Sequence, residues 1–264
     1  MPTQLCNVYW DSSLNKINQR ENKMDELLNW AVMAHGGLDR WNSFRTVAFE
    51  LSIGGALWDV KGQTGLLADS IFEADTHKQR ATLGRFGAPG RRVRFAPDKL
   101  VLETNAGKEI QVRDNPRAAF ASHFLETPWD QLHAAYFGGY AMWNHAMEPF
   151  LYTYPGFATT EIEPWEEDGE CWRRLRVIFP DNIVSHSREQ ISYFGPDGLM
   201  RRHDYAVDVL GGATGVHYIG DYSGHDGILM PHSRRVYLRG ADNRKISEGI
   251  SISIDIGRLA FGSA

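Results

Sequence analysis

SREQISYFGPDGLMRRHDYAVDVLGGATGVHYIGDYSGHDGILMPHSRRVYLR, residues 187–239, decides the fold. It reads as four strands, Ser187–Phe194, Leu199–Val209, Thr214–Ser223 and Ile228–Arg239. The turns between them are Pro196-Asp197-Gly198, Gly211-Gly212-Ala213 and His225-Asp226-Gly227. In the first, proline presets one turn angle and glycine takes the φ > 0 position of a three-residue loop with a bulge. That loop pairs Gly195 with Leu199, Tyr193 with Arg201 and Ile191 with His203. A four-residue loop from Leu210 to Ala213 pairs Val207 with Val216 and Tyr205 with Tyr218. The third turn, treated like the first, pairs Tyr222 with Met230 and Gly220 with His232.

Side chains alternate across a strand, so these registers sort the residues onto two faces. An inner face gathers Ile191, Tyr193, Arg201, His203, Tyr205, Val207, Val216, Tyr218, Tyr222, Met230, His232, Arg234 and Val236. An outer face gathers Arg202, Asp204, Asp208, His217, Asp221, Ser233 and Arg235 and reads as solvated and charge-paired.

Outward from this segment, the pattern repeats. Strands are expected over Thr46–Ile53, Leu57–Lys61, Gly65–Glu73, Lys78–Phe86, Arg91–Phe95, Lys99–Thr104 and Lys108–Val112, then Thr159–Glu166, Glu170–Phe179 and finally Gly249–Ile256. In Thr46–Ile53, Val47, Phe49, Leu51 and Ile53 alternate with smaller or polar residues, as in an antiparallel strand with one wet face. The glycine-rich breaks read as turns, because no phosphate-loop or dinucleotide-binding pattern occurs.

Helix is expected in two places. Leu27, Leu28, Ala31, Val32 and Ala34 recur at helical spacing, and His35-Gly36-Gly37 stops that run. Between residues 115 and 152 lies a helical insert capped by Thr127-Pro128-Trp129-Asp130. Its stripe of Trp129, Leu132, His133, Tyr136, Tyr140, Trp143, Asn144, Met147, Phe150 and Leu151 must pack on a sheet face, as core or as a lid with Tyr140, Trp143 and Asn144 facing a ligand. Gly138-Gly139 bends this helix or lets a neighbour approach. The expectation is one α+β domain over residues 24–264, mainly antiparallel β. About a dozen strands form one long sheet that must curl into a half-barrel or barrel, with the helices on its concave side.

Composition sets limits on function. The 264 residues carry a net charge of −5 with 23% charged residues, which gives no basis for nucleic-acid binding. A body of this size buries roughly three quarters of its unfolded surface, enough for a core plus an internal cavity. Cys6 and Cys171 are far apart in sequence and exclude a disulfide scaffold. No apolar run reaches the length of a membrane helix. Residues 1–23 are polar and lack a signal-peptide pattern. They read as a poorly ordered extension, with Met24 as the natural start and the cytoplasm as the location.

Order of elements carries a resemblance. A helix, many antiparallel strands, central helices and a second antiparallel run resemble the lipoprotein-carrier fold of the LolA/LppX type. Three segments also resemble a widespread set of uncharacterised bacterial proteins: His35-Gly36-Gly37-Leu38-Asp39-Arg40-Trp41, the run from Phe194 to Tyr205, and Asp226-Gly227-Ile228-Leu229-Met230-Pro231. The resemblance implies a hydrophobic cavity for acyl chains or another lipophilic molecule.

The candidate ligand-binding residues are Arg201, His203, Tyr205, Tyr218, Tyr222, His232 and Arg234 on the sheet, with Tyr140, Trp143 and Asn144 on the helix. His203, His232 and Tyr205 are the candidates for proton transfer in the alternative reading, a metal-independent isomerase or cyclase. No metal or cofactor is expected. His217, Asp221 and His225 lie four residues apart, about 13 Å between neighbours on a strand. His203 and His232 are separated by roughly 9–10 Å across the expected register.

Overall fold

The computed structural model describes residues 24–246 and 249–263. The proposed extension over residues 1–23 lies outside them. Two short helices, α1 (Glu26–Ala34) and α2 (Leu38–Asn42), precede strand β1 (Phe44–Gly54). A five-residue helix, α3 (Ala56–Val60), separates β1 from β2 (Ser70–Asp75), β3 (Ala81–Gly84), β4 (Arg91–Ala96), β5 (Lys99–Thr104) and β6 (Glu109–Asp114). Helix α4 (Gln131–Met147) then leads to β7 (Ala158–Glu167), β8 (Glu170–Ile178), β9 (Glu189–Phe194) and β10 (Met200–Val207). The chain finishes with β11 (Ala213–His225), β12 (Ile228–Leu238) and β13 (Ile252–Ser263).

All thirteen strands form one open, curved antiparallel sheet in the order β6-β5-β4-β3-β2-β1-β13-β12-β11-β10-β9-β8-β7. The chain enters at the middle on β1, steps outward to one edge at β6, and re-enters at the opposite edge on β7. From there it steps back inward until β13 pairs with β1. Both runs are therefore simple meanders, and the segment from β6 to β7 must cross the whole sheet. That crossing is made by α4. The expected α+β half-barrel with central helices is what the chain forms.

Local sequence explains α4 closely. The Asp130 carboxylate accepts from the His133 N–H at 2.9 Å, and His133 Nδ1 returns to the Asp130 N–H, closing a capping box. The helix stops where Glu148 precedes Pro149, since a residue before proline is driven to extended backbone, here φ −67° and ψ 139°. From Ala134 to Met147 every residue is buried, so α4 has no wet face and runs through the core. Gly138-Gly139 serve close approach. A Cβ on Gly139 would sit 2.7 Å from the Phe95 ring on β4.

The strand expected over Leu57–Lys61 is instead α3. Leu57 and Trp58 are both buried, and two neighbours cannot both face one core from a strand with a wet side. The last strand begins at Ile252 rather than 249 and runs on to Ser263.

The three segments that carry the family resemblance meet at one end of the sheet. The Leu229 N–H donates to the His35 carbonyl at 3.0 Å. Gly36 has φ 120°, and a Cβ there would collide with the Gly227 carbonyl. A Cβ on Gly198 would lie 2.7 Å from the Cβ of Ala34. The end of α1 is thus seated on two hairpin tips, and these motifs are docking chemistry rather than a site.

Two outcomes follow for this frame. Gly139→Ala gains up to about 1 kcal/mol of helix propensity but clashes with a core ring, an overpacking cost of about 1–3 kcal/mol. It should lower the melting midpoint, whereas Gly138→Ala, facing only the Leu67 side-chain tip at 3.2 Å, should not. Burial lowers the His35 imidazole to about 4. Its neutral form therefore supports the fold fully above pH 6.5, and that support is lost as pH falls toward 4. Urea titrations should show His35→Gln losing about 3 kcal/mol less than the parent across that window; equal acid sensitivity would refute this.

Candidate functional site

The registers that position the site differ from those expected, and each difference has a local cause. The Gly195 N–H does donate to the Leu199 carbonyl, and Met200 pairs with Phe194. A bulge at Arg201 then shifts the pairing so that Arg202 faces Tyr193 and His203 faces Ser192. Residues 208–212 form a five-residue connection, a turn of 3-10 helix closed by Gly211 at φ 69°. Val207 consequently pairs with Ala213, Tyr205 with Gly215 and His203 with His217. Asp226 and Gly227, at φ 50° and 85°, make a two-residue turn that pairs His225 with Ile228.

Each register is displaced by an odd number of residues, so faces exchange. Ile191 and Tyr193 move to the outer face on β9, and Val216 and Tyr218 do so on β11. His217 moves inward. On β12 the two displacements cancel, and Met230, Arg234 and Val236 keep their expected inward side. Asp221, at φ 56°, breaks the alternation of β11 and lets Tyr222 turn back to the core.

Four histidines and an ion pair meet on the concave side beside the end of α4. His145 comes from the last turn of α4, His203 from β10, His217 from β11 and His186 from the segment after β8. One ring nitrogen from each of His145, His203 and His217 lies within 4.8 Å of the others. All three residues are at most 3% exposed. Glu148, one residue past α4, places Oε1 3.2 Å from His203 Nδ1 and Oε2 3.5 Å from His145 Nδ1. Arg234 Nη1 stands 3.6 Å from the same carboxylate, and its Nη2 donates to the His145 carbonyl at 2.6 Å.

Very little of this polarity is satisfied. Among the described residues, thirteen buried side-chain nitrogen or oxygen atoms lack a hydrogen-bond partner, and eight belong to His145, Glu148, His203, His217 and Arg234. Both Glu148 oxygens have close ionic neighbours but no hydrogen bond. Each orphaned buried group costs about 1–3 kcal/mol, so this concentration is expensive for a structural core. Burial holds the His145, His186 and His217 imidazoles well below their usual range and lowers His203 to about 3. All four rings are neutral near pH 7.

Tyr205 and Tyr140 order this group. The Tyr205 ring stacks on His186 with centroids 4.3 Å apart, and its hydroxyl is 3.3 Å from His217 Nδ1. The Tyr140 hydroxyl lies 3.1 Å from His186 Nδ1. Asn144 lines neither of the two voids that adjoin this group. Its amide donates to the Val184 carbonyl and accepts from Gln79, which clamps the segment carrying His186. Trp143 is buried and donates to the Asp75 carbonyl at 2.8 Å.

The remaining expected residues lie elsewhere. Arg201 is held at the rim by Asp197 and Glu170, and the Tyr222 hydroxyl donates to the Met200 carbonyl. His232 pairs with Ser223 and His225, each contact 2.8 Å, and shares no site with His203. Of the three proton-transfer candidates, His203 and Tyr205 lie together, with ring centroids 5.1 Å apart, and His232 lies apart from them. His145, His186 and Glu148 were not anticipated. The spacing His145-x-x-Glu148 was their one legible signal, and His217 needed the correct loop length.

Two voids adjoin the cluster. One of about 20 Å³ is walled by His145, His186 and Tyr205. A larger one of about 170 Å³ lies between α3, the Phe137 side of α4 and strands β10–β12. Phe137, Tyr205, Val236 and Ile252 line both. Tyr136, Tyr140, Trp143 and Met147 of α4 are also buried against the sheet.

The outer face was expected to be solvated, and near β10 it is not. Arg202 is fully buried and forms two 2.7 Å contacts with Asp204 and another with Glu167. Tyr193 donates to Asp204 and Tyr218 to Glu167. Trp165, Tyr193 and Tyr218 surround the guanidinium at 4.8–5.8 Å. This network ties β7, β9, β10 and β11 together and removes Tyr218 from the candidate site.

No protein-family model matches the chain, and no curated protein matches it in sequence. Among solved structures, the chain is similar to a DUF1329 family protein from Desulfovibrio piger, with 14% identity over 89% of this chain and 91% of that one and a TM-score of 0.48. It is similar to an outer membrane lipoprotein-sorting protein domain from Vibrio parahaemolyticus, with 11% identity, 89% and 91% coverage and a TM-score of 0.49. A LolA superfamily protein from Nitrosomonas europaea matches at 8% identity, 90% and 93% coverage and a TM-score of 0.45. One of these neighbours is described as a LolA superfamily protein, and the LolA/LppX type is the one whose element order the sequence resembles. None of these likenesses bears on what the cluster or the cavity holds.

Removing the guanidinium at Arg202 leaves two carboxylates buried without their main cation. Arg202→Met should cost about 3–5 kcal/mol in urea denaturation, while Arg188→Ala, whose partner Asp181 is exposed, should change nothing measurable. Equal effects would show that the outer network is not buried.

Proposed function

We propose that this chain binds one small lipophilic molecule in the cavity between α3, α4 and β10–β12. The observation that carries the reading is the cavity itself: about 170 Å³, almost wholly apolar, with Val207, Leu210 and Ile252 on its walls and Tyr205 on the side shared with the smaller void. Val60 and Leu238 line it and are 47% and 40% exposed, which marks an apolar mouth at the surface. Apolar walls favour transfer of an apolar ligand by about 25 cal/mol for each Å² removed from water.

Volume narrows the ligand. A dry cavity of about 150 Å³ accepts a molecule of benzene size, so this space suits one ring system or the end of one chain rather than several acyl chains. The Tyr205 hydroxyl and the histidines behind it are the polar groups nearest the inner end. They favour a ligand with one polar terminus.

A fluorescent apolar probe of two or three fused rings, 1-aminoanthracene, tests the reading. It should bind saturably at one site, and Ala213→Leu and Val207→Phe, both on the cavity wall, should each weaken binding at least about tenfold, or about 1.4 kcal/mol. His225→Ala, at the far hairpin tip, should leave it unchanged. Absence of saturable binding, or binding indifferent to the wall substitutions, would sink the proposal.

A further inference from the structure

We propose that His145, His203 and His217 form a binding site for a divalent transition-metal ion of the zinc class, with Glu148 supporting it and one coordination position open toward the small void. Three features carry this, none of them dependent on what fills the apolar cavity.

The first is donor set and distance. Three imidazoles from three different elements converge with one nitrogen each within 4.8 Å of the others. Around a tetrahedral ion with bonds of about 2.1 Å the nitrogens stand about 3.4 Å apart. Ring rotation and closure of roughly an ångström complete the site. Imidazole donors suit zinc, copper, iron and nickel over magnesium or calcium, which take oxygen ligands.

The second is the state of the donors. His203 Nδ1 and Nε2, His217 Nε2 and His145 Nδ1 are buried and without hydrogen-bond partners. Native cores leave few such atoms, and an aimed, dry lone pair is what a metal ion completes.

The third is the support behind the donors. The Tyr205 hydroxyl, 3.3 Å from His217 Nδ1, fixes that ring and leaves Nε2 as its donor. Metal-bound histidines usually have their second nitrogen held in this way. Glu148 touches His145 and His203 and supplies negative charge, against which Arg234 stands 3.6 Å away. Arg234 opposes a cation, and the Glu148 carboxylate lies against it. The void of about 20 Å³ beside His145 holds one water-sized group. Three histidines with an open fourth position make the arrangement of a reactive rather than a purely structural zinc centre.

A buried cluster of this kind could instead be a water-filled polar pocket, and metal titration separates the two. The intact protein is stripped with a chelator, shown to remain folded by circular dichroism, and titrated with Co(II) and with Zn(II). One equivalent of Co(II) should bind with the strong visible bands of a four-coordinate site, Zn(II) should displace it, and the melting midpoint should rise with metal concentration. His217→Ala should abolish the bands. Tyr205→Phe, which keeps the core packed, should weaken binding about 10- to 100-fold. His232→Ala, at the separate His225 pair, should behave as the parent. The proposal is overturned if the folded protein takes up no Co(II), if His232→Ala removes the bands while His217→Ala keeps them, or if Tyr205→Phe binds as tightly as the parent. Because His145, His203 and His217 do not line the apolar cavity, loss of the apolar probe site would leave this test intact.

Discussion

One helix has to cross the whole sheet. Because the first meander ends on one edge and the second begins on the other, residues 115–157 must carry the chain from β6 to β7. A helix buried on every side satisfies its own backbone hydrogen bonds along the way, which an irregular crossing through the same core could not do. The capping box at Asp130, the extended Glu148 before Pro149 and the missing side chains at Gly138 and Gly139 all serve that passage. With α4 fixed, the sheet curls around it, and β1 and β13 close the middle.

The same constraint builds the polar cluster. At its C-terminal end α4 delivers His145 and Glu148 to the concave face where β10 and β11 present His203 and His217. Elsewhere along the helix Tyr136, Phe137, Met142 and Trp143 belong to the buried core. Eight of the thirteen unpartnered buried polar atoms among the described residues gather here. The outer-face network around Arg202 shows the contrast, since there each charged group is paired and hydrogen-bonded. Two buried polar groups of residues on opposite sides of one strand thus differ in satisfaction, and the unsatisfied one adjoins the voids.

Faces of strands were legible only as far as loop lengths were. Pro196-Asp197-Gly198 pairs its ends as its residues imply, yet the bulge at Arg201 reverses β9 against β10. The glycine pair at 211–212 follows a turn of 3-10 helix, so the loop has five residues and β11 reverses too. The tighter turn at Asp226-Gly227 reverses once more, and β12 comes out as its own alternation suggests. Tyr205, His203 and Arg234 were placed on the inner face by periodicity. His217 and Tyr218 were exchanged, because a single residue in a loop inverts an entire strand.

By itself the sequence determined the class of body: alternation and turn chemistry require a long antiparallel sheet, the 115–152 stretch requires a helix within it, and the charge balance gives no basis for a nucleic-acid surface. These are local properties, set by which side of a strand or helix each residue occupies. The tertiary structure alone decided which strands are neighbours at the sheet's centre and how α4 lies across it. It also decided that His145, His203 and His217 face one another from positions 72 residues apart, from His145 to His217. Such convergence depends on register and curvature summed over many elements, and no local pattern carries that sum.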